Sequence, residues 1–167
     1  FSLTSFQTLA LEQNWKPAQV GDKIILIRHA KAPGGGDPKG FKIDDCKTQR
    51  NLDMMGINQA KKIGKLFREK KVKIDQVLSS QWCRCKDTAK YAFGNFKEFS
   101  ALNSTYTPPY DQNEKQQIKD LKKYVNNWNG KGGNLVLVTH YVIILAITGE
   151  TTRSGELVIT DKNFKVL

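Results

Sequence analysis

The chain has 167 residues and a formal net charge of +11, from 27 Lys and Arg against 16 Asp and Glu, with 39% hydrophobic and 26% charged residues. That length suits one domain with its own core, taken here as residues 1–167 with 1–20 as an N-terminal helix and lead-in, and the composition excludes a disordered chain. The longest apolar run, Tyr141 to Ile147, falls far short of the ~20 residues that span a bilayer as a helix, and no fixed-period repeat suggests a solenoid or fibre.

In chain order, Phe6 to Gln13 reads as a short helix with Phe6, Leu9 and Ala10 on one face. Lys23-Ile24-Ile25-Leu26-Ile27 is a continuous apolar run, the pattern of a strand covered on both faces of a parallel sheet. Pro33 to Cys46 is rich in Gly, Pro and Asp and reads as a loop. Leu52 to Lys71 follows as an amphipathic helix, with Ile57, Ala60, Ile63, Gly64 and Phe67 on one stripe. Ile74 to Leu78 is a second strand, ended by Ser79-Ser80, and Trp82 to Phe93 a second long helix. Ala101-Leu102 closes a short strand before the loop at Pro108-Pro109. Gln112 to Trp128 is helical, Gly130 to Gly133 breaks it, Asn134 to Thr139 is a third buried strand, and Val142 to Ile147 a short apolar helix. Glu156–Thr160 and Phe164–Leu167 read as a terminal hairpin around Asp161-Lys162-Asn163.

Strands that alternate with helices give an α/β chain with a mostly parallel central sheet. In such sheets functional sites gather at the carboxyl ends of the strands. The residues just after the three buried strands are Arg28-His29, Ser79-Ser80 and Thr139-His140, so both histidines of the chain fall at that edge. Arg84, in the first turn of the helix after the second strand, joins them, and with Arg28 it makes two of the five arginines. Two guanidiniums and two imidazoles with no carboxylate nearby form an anion pocket suited to a tetrahedral phosphoryl dianion. The same positive charges disfavour protonation of His29 and keep it nucleophilic. Metal ligands would bring Asp or Glu instead of Arg, so no metal is expected at this edge. The remaining cations, mostly lysine on helical faces, read as a solvated surface, and no nucleic-acid partner is inferred from them. Gly34-Gly35-Gly36 lacks the pattern of a nucleotide phosphate loop. Cys46, Cys83 and Cys85 leave four readings open: a link from Cys46 to Cys83, a link from Cys46 to Cys85, a zinc site of three Cys and one His, or three ordinary buried thiols.

Several stretches carry a resemblance. Leu26-Ile27-Arg28-His29-Ala30 resembles the signature of the histidine phosphatase superfamily, and Leu52 to Gly56 with Gln59-Ala60 resembles the helix start that follows it. Leu78-Ser79-Ser80 with Arg84 and Thr88-Ala89, and Val138-Thr139-His140, are similar to two further segments of that family, in the same order. The matches run from Ile24 to about Val158. The resemblance implies a three-layer, phosphoglycerate-mutase-like sandwich in which helices flank the sheet. It implies His29 as the nucleophile that becomes phosphohistidine, with Arg28, Arg84 and His140 holding the phosphoryl oxygens. It implies Arg50 as a further substrate contact and Asp111 as the acid that protonates the leaving oxygen, with Glu98 and Glu114 as the other acids in reach by sequence. The family requires neither metal nor cofactor. The expected activity is a metal-independent phosphatase acting on a small phosphomonoester or a phosphohistidine protein. A phosphomutase and a catalytically weak phosphate-binding protein are the alternatives. Gly36-Asp37-Pro38 through Asp45-Cys46, Thr48 to Leu52, and Trp82-Cys83-Arg84-Cys85 resemble small exported bacterial members. With a chain that starts at Phe1 and shows no leader, this gives a periplasmic or exported protein as the expectation and a cytoplasmic one as the alternative.

Overall fold

A computed structural model describes residues 13–167. The expected helix at Phe6–Gln13 lies outside the described residues but for its last position. The described chain runs α1 (Lys16–Val20), β1 (Ile24–Arg28), α2 (Met54–Glu69), β2 (Ile74–Ser79), α3 (Cys83–Phe93), β3 (Lys97–Glu98), α4 (Glu114–Asn127), β4 (Asn134–Thr139), α5 (Tyr141–Thr148) and β5 (Leu157–Thr160). Single 3-10 turns lie at Cys46–Thr48, Ser100–Leu102 and Tyr110–Asn113.

The sheet order is β3-β2-β4-β1-β5, and every pairing is parallel except that of β5 with β1. β4 lies at the centre and is buried along its whole length, which explains its unbroken apolar sequence. Alternation of side chains divides the strands between two cores. Ile25, Ile27, Val136 and Val138 face α2 and α3 through Ile63, Phe67 and Ala89. Ile24, Leu26, Leu135 and Leu137 face α4 and α5 through Leu121, Val125, Ile143 and Ile144. The result is a three-layer α/β sandwich of the expected class.

Register sets the site. β1 pairs with β4 from Ile24 opposite Leu135 to Arg28 opposite Thr139, and Ser79 of β2 lies opposite Val138. The three carboxyl ends are therefore level, and His29, His140 and Ser80 leave them side by side. α2 begins where Asp53 caps it, its carboxylate accepting from the Gly56 amide at 2.8 Å. It can press onto α3 because Gly64 has no side chain: a Cβ there would stand 2.0 Å from the Ala92 carbonyl oxygen.

Three expected elements differ. Ala101-Leu102 belongs to a 3-10 turn, and the short strand lies earlier, at Lys97–Glu98, where the sheet edge is still in reach and the Phe99 amide donates to the Ser79 carbonyl. The helix expected from Gln112 begins at Glu114, after a 3-10 turn at Tyr110–Asn113. The terminal hairpin narrows to a single bridge between Thr160 and Val166, with the Asp161 amide donating to the Lys165 carbonyl and the Leu167 amide to the Ile159 carbonyl, while the other edge of β5 pairs with β1. Asp161 forms the turn, its carboxylate accepting from the amides of Asn163 and Lys165. The helix α1, with Pro17 in its first turn, is one the sequence reading missed.

Candidate active site

A cleft of about 360 Å³ opens over the carboxyl ends of β1, β2 and β4. Arg28, His29, Arg50, Arg84 and His140 all line it. The sequence-predicted cationic and imidazole groups are thus brought together.

His29 is buried, and its Nδ1 lies 2.8 Å from the carbonyl oxygen of Ala30. A carbonyl only accepts, so Nδ1 carries the proton and Nε2 keeps its lone pair. The turn after β1 that holds this ring is fixed from three sides. The Ala30 amide donates to Thr88 Oγ1 at 2.9 Å, and Thr88 donates onward to the Arg84 carbonyl at 2.7 Å. The Lys31 amide donates to Gln59 Oε1 at 2.8 Å, and Gln59 Nε2 donates to the Ser154 carbonyl at 2.9 Å. Gly56 admits the Lys31 carbonyl so closely that a Cβ would lie 2.0 Å from its oxygen. The Gly56, Gln59 and Thr88 positions singled out in the sequence are therefore supports of the His29 turn.

His140 follows β4, with its ring centroid 5.5 Å from that of His29. Its Nε2 shares a hydrogen bond with Ser80 Oγ at 2.9 Å, and the buried thiol of Cys85 lies 3.4 Å from the same nitrogen. Nδ1 is left as the nitrogen without a protein partner. Burial holds both imidazoles well below the ordinary histidine value, and Arg84 reinforces this in each case; the hydrogen bond to Ala30 opposes it at His29. Both rings are neutral at pH 7. Burial pushes the Cys85 thiol up to about 12, so it is an inert core group.

Each arginine is pinned by one terminal nitrogen. Arg28 Nη1 donates to the Thr152 carbonyl at 2.6 Å, and its guanidinium stands over the Tyr141 ring. Arg50 Nη1 donates to the Ala32 carbonyl. Arg84 Nη1 meets the Asp37 carboxylate at 2.9 Å and 3.2 Å. The Nε atoms of all three are buried and make no hydrogen bond within the protein. Three buried charged donors without acceptors, in a cleft that opens to solvent, are held ready for an anion.

Asp37 corrects the expectation that no carboxylate is nearby. It also accepts from the Arg50 amide at 3.0 Å and from the Trp82 indole at 3.0 Å. Burial alone would raise its value, but these donors and Arg84 hold the carboxyl below its usual range. It is a fixed anion that aims Arg84, carried on the loop after β1, where its Gly and Pro neighbours marked a turn but gave no sign of a partner 47 residues on. Asp111 lies elsewhere: it is exposed on the 3-10 turn and is not among the residues lining the cleft, whereas its neighbour Tyr110 is. Tyr110 packs on Trp82 at 5.0 Å, which turns the preceding aromatic inward and the acid outward. Glu98 pairs with Lys86, and Glu114 accepts from Thr105.

The loop holding Asp37 and Arg50 is tied to α3 by a disulfide between Cys46 and Cys83, one residue before Arg84. Gln49 adds a second tie, accepting from the Cys83 amide at 3.0 Å. This pairing removes the zinc reading and the other cysteine readings, with Cys85 left as a free buried thiol. Among the described residues no three His, Cys, Asp or Glu side chains cluster to hold a metal ion, and no helix is long and apolar enough to cross a membrane.

Among solved structures the chain is similar in fold to a putative alpha-ribazole-5'-P phosphatase from Escherichia coli K-12, at 15% identity and TM-score 0.62, covering 87% of this chain and 94% of that one. It is similar to the putative phosphohistidine phosphatase SixA from Agrobacterium tumefaciens at 18% identity and TM-score 0.59, covering 87% and 95%. It is also similar to a phosphoglycerate mutase from Thermus thermophilus at 16% identity and TM-score 0.59, covering 87% and 96%. No curated protein matches the chain in sequence. The family model of the histidine phosphatase superfamily (branch 1) matches residues 24–130, a stretch that holds Arg28, His29, Arg50 and Arg84 and ends ten residues before His140. With that match over more than half its length, and with both histidines and three arginines gathered over one sheet edge, the chain belongs to the histidine phosphatase superfamily, branch 1.

Proposed function

We propose that this protein is a metal-independent phosphatase that works through a phosphohistidine at His29, on a phosphomonoester or on protein phosphohistidine. The observation that carries the reading is the state of His29: a neutral ring whose Nδ1 proton is held by a backbone carbonyl, with Nε2 unprotonated in a cleft lined by three guanidiniums. In this scheme Nε2 attacks phosphorus in line with the leaving group. Arg28, Arg50 and Arg84 receive the phosphoryl oxygens through their unpartnered Nε–H groups, and His140 receives one through Nδ1. The donors are in place before the reaction, so charge developing on the oxygens is met without reorganisation. Water then attacks the phosphohistidine and releases phosphate. The three arginines supply the positive charge that a metal would otherwise bring.

Phosphate release from p-nitrophenyl phosphate in EDTA, for wild type and His29→Ala together, tests this. Turnover that survives EDTA and is lost in the variant is expected. Full turnover by the variant would remove His29 from the nucleophile's role. The likeness to small exported bacterial members and the Cys46–Cys83 disulfide support a periplasmic or exported protein, since such bonds persist in oxidising compartments. Thiol titration of protein taken from its native compartment under denaturing, non-reducing conditions tests this: one reactive thiol supports export and three refute it.

A further inference from the structure

Among the described residues, Asp37 is the one carboxylate that lines the cleft. All of its contacts come from donors, namely the Arg50 amide, Trp82 Nε1 and Arg84 Nη1. It is an ionised acceptor with no proton to give. Asp111 is exposed outside the cleft, Glu98 is held by Lys86, and Glu114 is engaged by Thr105. The Nδ1 proton of His29 is committed to the Ala30 carbonyl. An alkoxide leaves poorly without a proton, and a positioned acid supplies typically 10²–10⁴-fold in rate.

Three phenols line the same cleft, those of Tyr106, Tyr110 and Tyr141. A phenol O–H is a donor, and tyrosine is one of the side chains that can act as a general acid. The three are not equivalent. Tyr106 is 71% exposed, so nothing fixes its ring. Tyr110 is committed to the aromatic wall, 5.0 Å from Trp82 and 5.9 Å from Phe41. Tyr141 opens α5 directly after His140, so the end of β4 fixes its backbone beside the second histidine. Its half-buried ring lies under the Arg28 guanidinium, which stands 5.6 Å from the ring centroid. None of the described residues hydrogen-bonds its hydroxyl. A guanidinium of the anion pocket therefore holds this ring, and its fixed charge meets the negative charge that appears on the phenol as a proton departs.

We propose, resting on the phosphatase reading above, that Tyr141 is the catalytic acid of this site and that its substrates are phosphomonoesters of ordinary alcohols. The steps balance. The His29 Nε2 lone pair forms the N–P bond as the P–O bond of the ester dianion breaks. The electron pair left on the ester oxygen takes the Tyr141 hydroxyl proton, so a neutral alcohol departs. Tyr141 is then a phenolate beside Arg28, and His29 a phosphorylated imidazolium. The phenolate takes a proton from the entering water as the water oxygen bonds to phosphorus. The N–P pair returns to Nε2, and hydrogen phosphate departs with the phenol restored.

The test compares kcat/KM for glycerol 2-phosphate, whose alkoxide needs a proton, with that for p-nitrophenyl phosphate, whose phenolate leaves without one. Wild type, Tyr141→Phe and Tyr110→Phe are measured, with quench-flow trapping of the acid-labile phosphoenzyme. Tyr141→Phe keeps a ring under Arg28 and removes only the hydroxyl. It should lower the glycerol 2-phosphate value by about 10²–10⁴-fold and the p-nitrophenyl phosphate value by about fivefold at most. Tyr110→Phe should leave the ratio of the two esters as in wild type. A Tyr141→Phe loss shared equally by both esters, or no loss on glycerol 2-phosphate, would overturn the proposal and leave the phosphatase standing. So would a wild type that turns over the p-nitrophenyl ester alone, or a selective loss in Tyr110→Phe instead. No phosphoenzyme and no turnover with either ester would overturn both.

Discussion

Replacing Asp37 by Asn isolates the one negative charge in the cleft. The Asp37–Arg84 pair is buried on both sides, with side-chain exposures of 6% and 4% and a separation of 2.9 Å. An Asn keeps one acceptor oxygen but turns the other into an NH₂ group that faces N–H donors, from Trp82 on one side or from Arg50 and Arg84 on the other. Breaking a buried pair by neutralising one member costs about 3–5 kcal/mol. At about 2–4 °C per kcal/mol for a chain of this size, Tm at pH 7 should fall by roughly 6–20 °C. The pH dependence follows from the depressed native value of Asp37. Its contribution is fully present above the unfolded carboxylate value of about 3.9, and is lost as pH falls through the native value, so the gap between variant and wild type closes in acid. Phosphate should stabilise the variant more than the wild type, because the added anion then meets three guanidiniums with no competing carboxylate. Differential scanning calorimetry with and without inorganic phosphate reads both effects. A variant that melts within about 2 °C of wild type and gains the same increment from phosphate would show that Asp37 does not hold Arg84.

Other outcomes are equally open to measurement. Arg84→Ala and Arg28→Ala should each lower kcat by about 10²–10³-fold, as for loss of one fixed donor to transition-state charge, with the phosphoenzyme formation rate as the readout. Because both histidines are held below the ordinary value, the unfolded chain takes up protons near pH 6.5 that the native chain does not. Stability should therefore fall as pH drops below about 6.5, and His140→Asn should flatten the pH profile of the unfolding free energy, read from urea titrations, by about 1.4 kcal/mol per pH unit. Removing the disulfide with Cys46→Ser and Cys83→Ser should cost about 2–4 kcal/mol in chemical denaturation and raise KM, since the loop bearing Arg50 loses its anchor. Gly64→Ala should destabilise by about 1–3 kcal/mol, as the new methyl group drives α2 away from the Ala92 carbonyl.

The sheet was legible because its strands are buried on both faces and so read as unbroken apolar runs. Ile24 to Ile27 and Asn134 to Thr139 needed no context to be recognised. His29 and His140 were legible for a related reason, since each directly follows such a run. Arg84 followed from its place in the first turn of a helix. What escaped the reading depends on pairs far apart in the chain. Asp37 meets Arg84 across a loop whose path is set by the Cys46–Cys83 bond, and no periodicity encodes that. Asp111 was placed over the cleft from its position after Pro108-Pro109, yet a turn of one residue decides whether Tyr110 or Asp111 faces inward, and the apolar ring took the place beside Trp82. The pairing of β5 with β1 was hidden because the sequence shows the turn that brings Phe164–Leu167 back onto one edge of β5 but nothing local to say which strand lies on its other edge.

The two histidines leave adjacent parallel strands at matched positions, and neighbouring strands stand about 4.8 Å apart wherever such ladders form. The 5.5 Å between their rings starts from that backbone spacing and is held by the Ala30 carbonyl on one ring and Ser80 Oγ on the other. Insertions after Ala30, or between Phe99 and Glu114, can reshape the mouth of the cleft without touching that spacing. A chain built this way can drift from one phosphorylated compound to another through its loops while the distance across which phosphorus is handled stays constant.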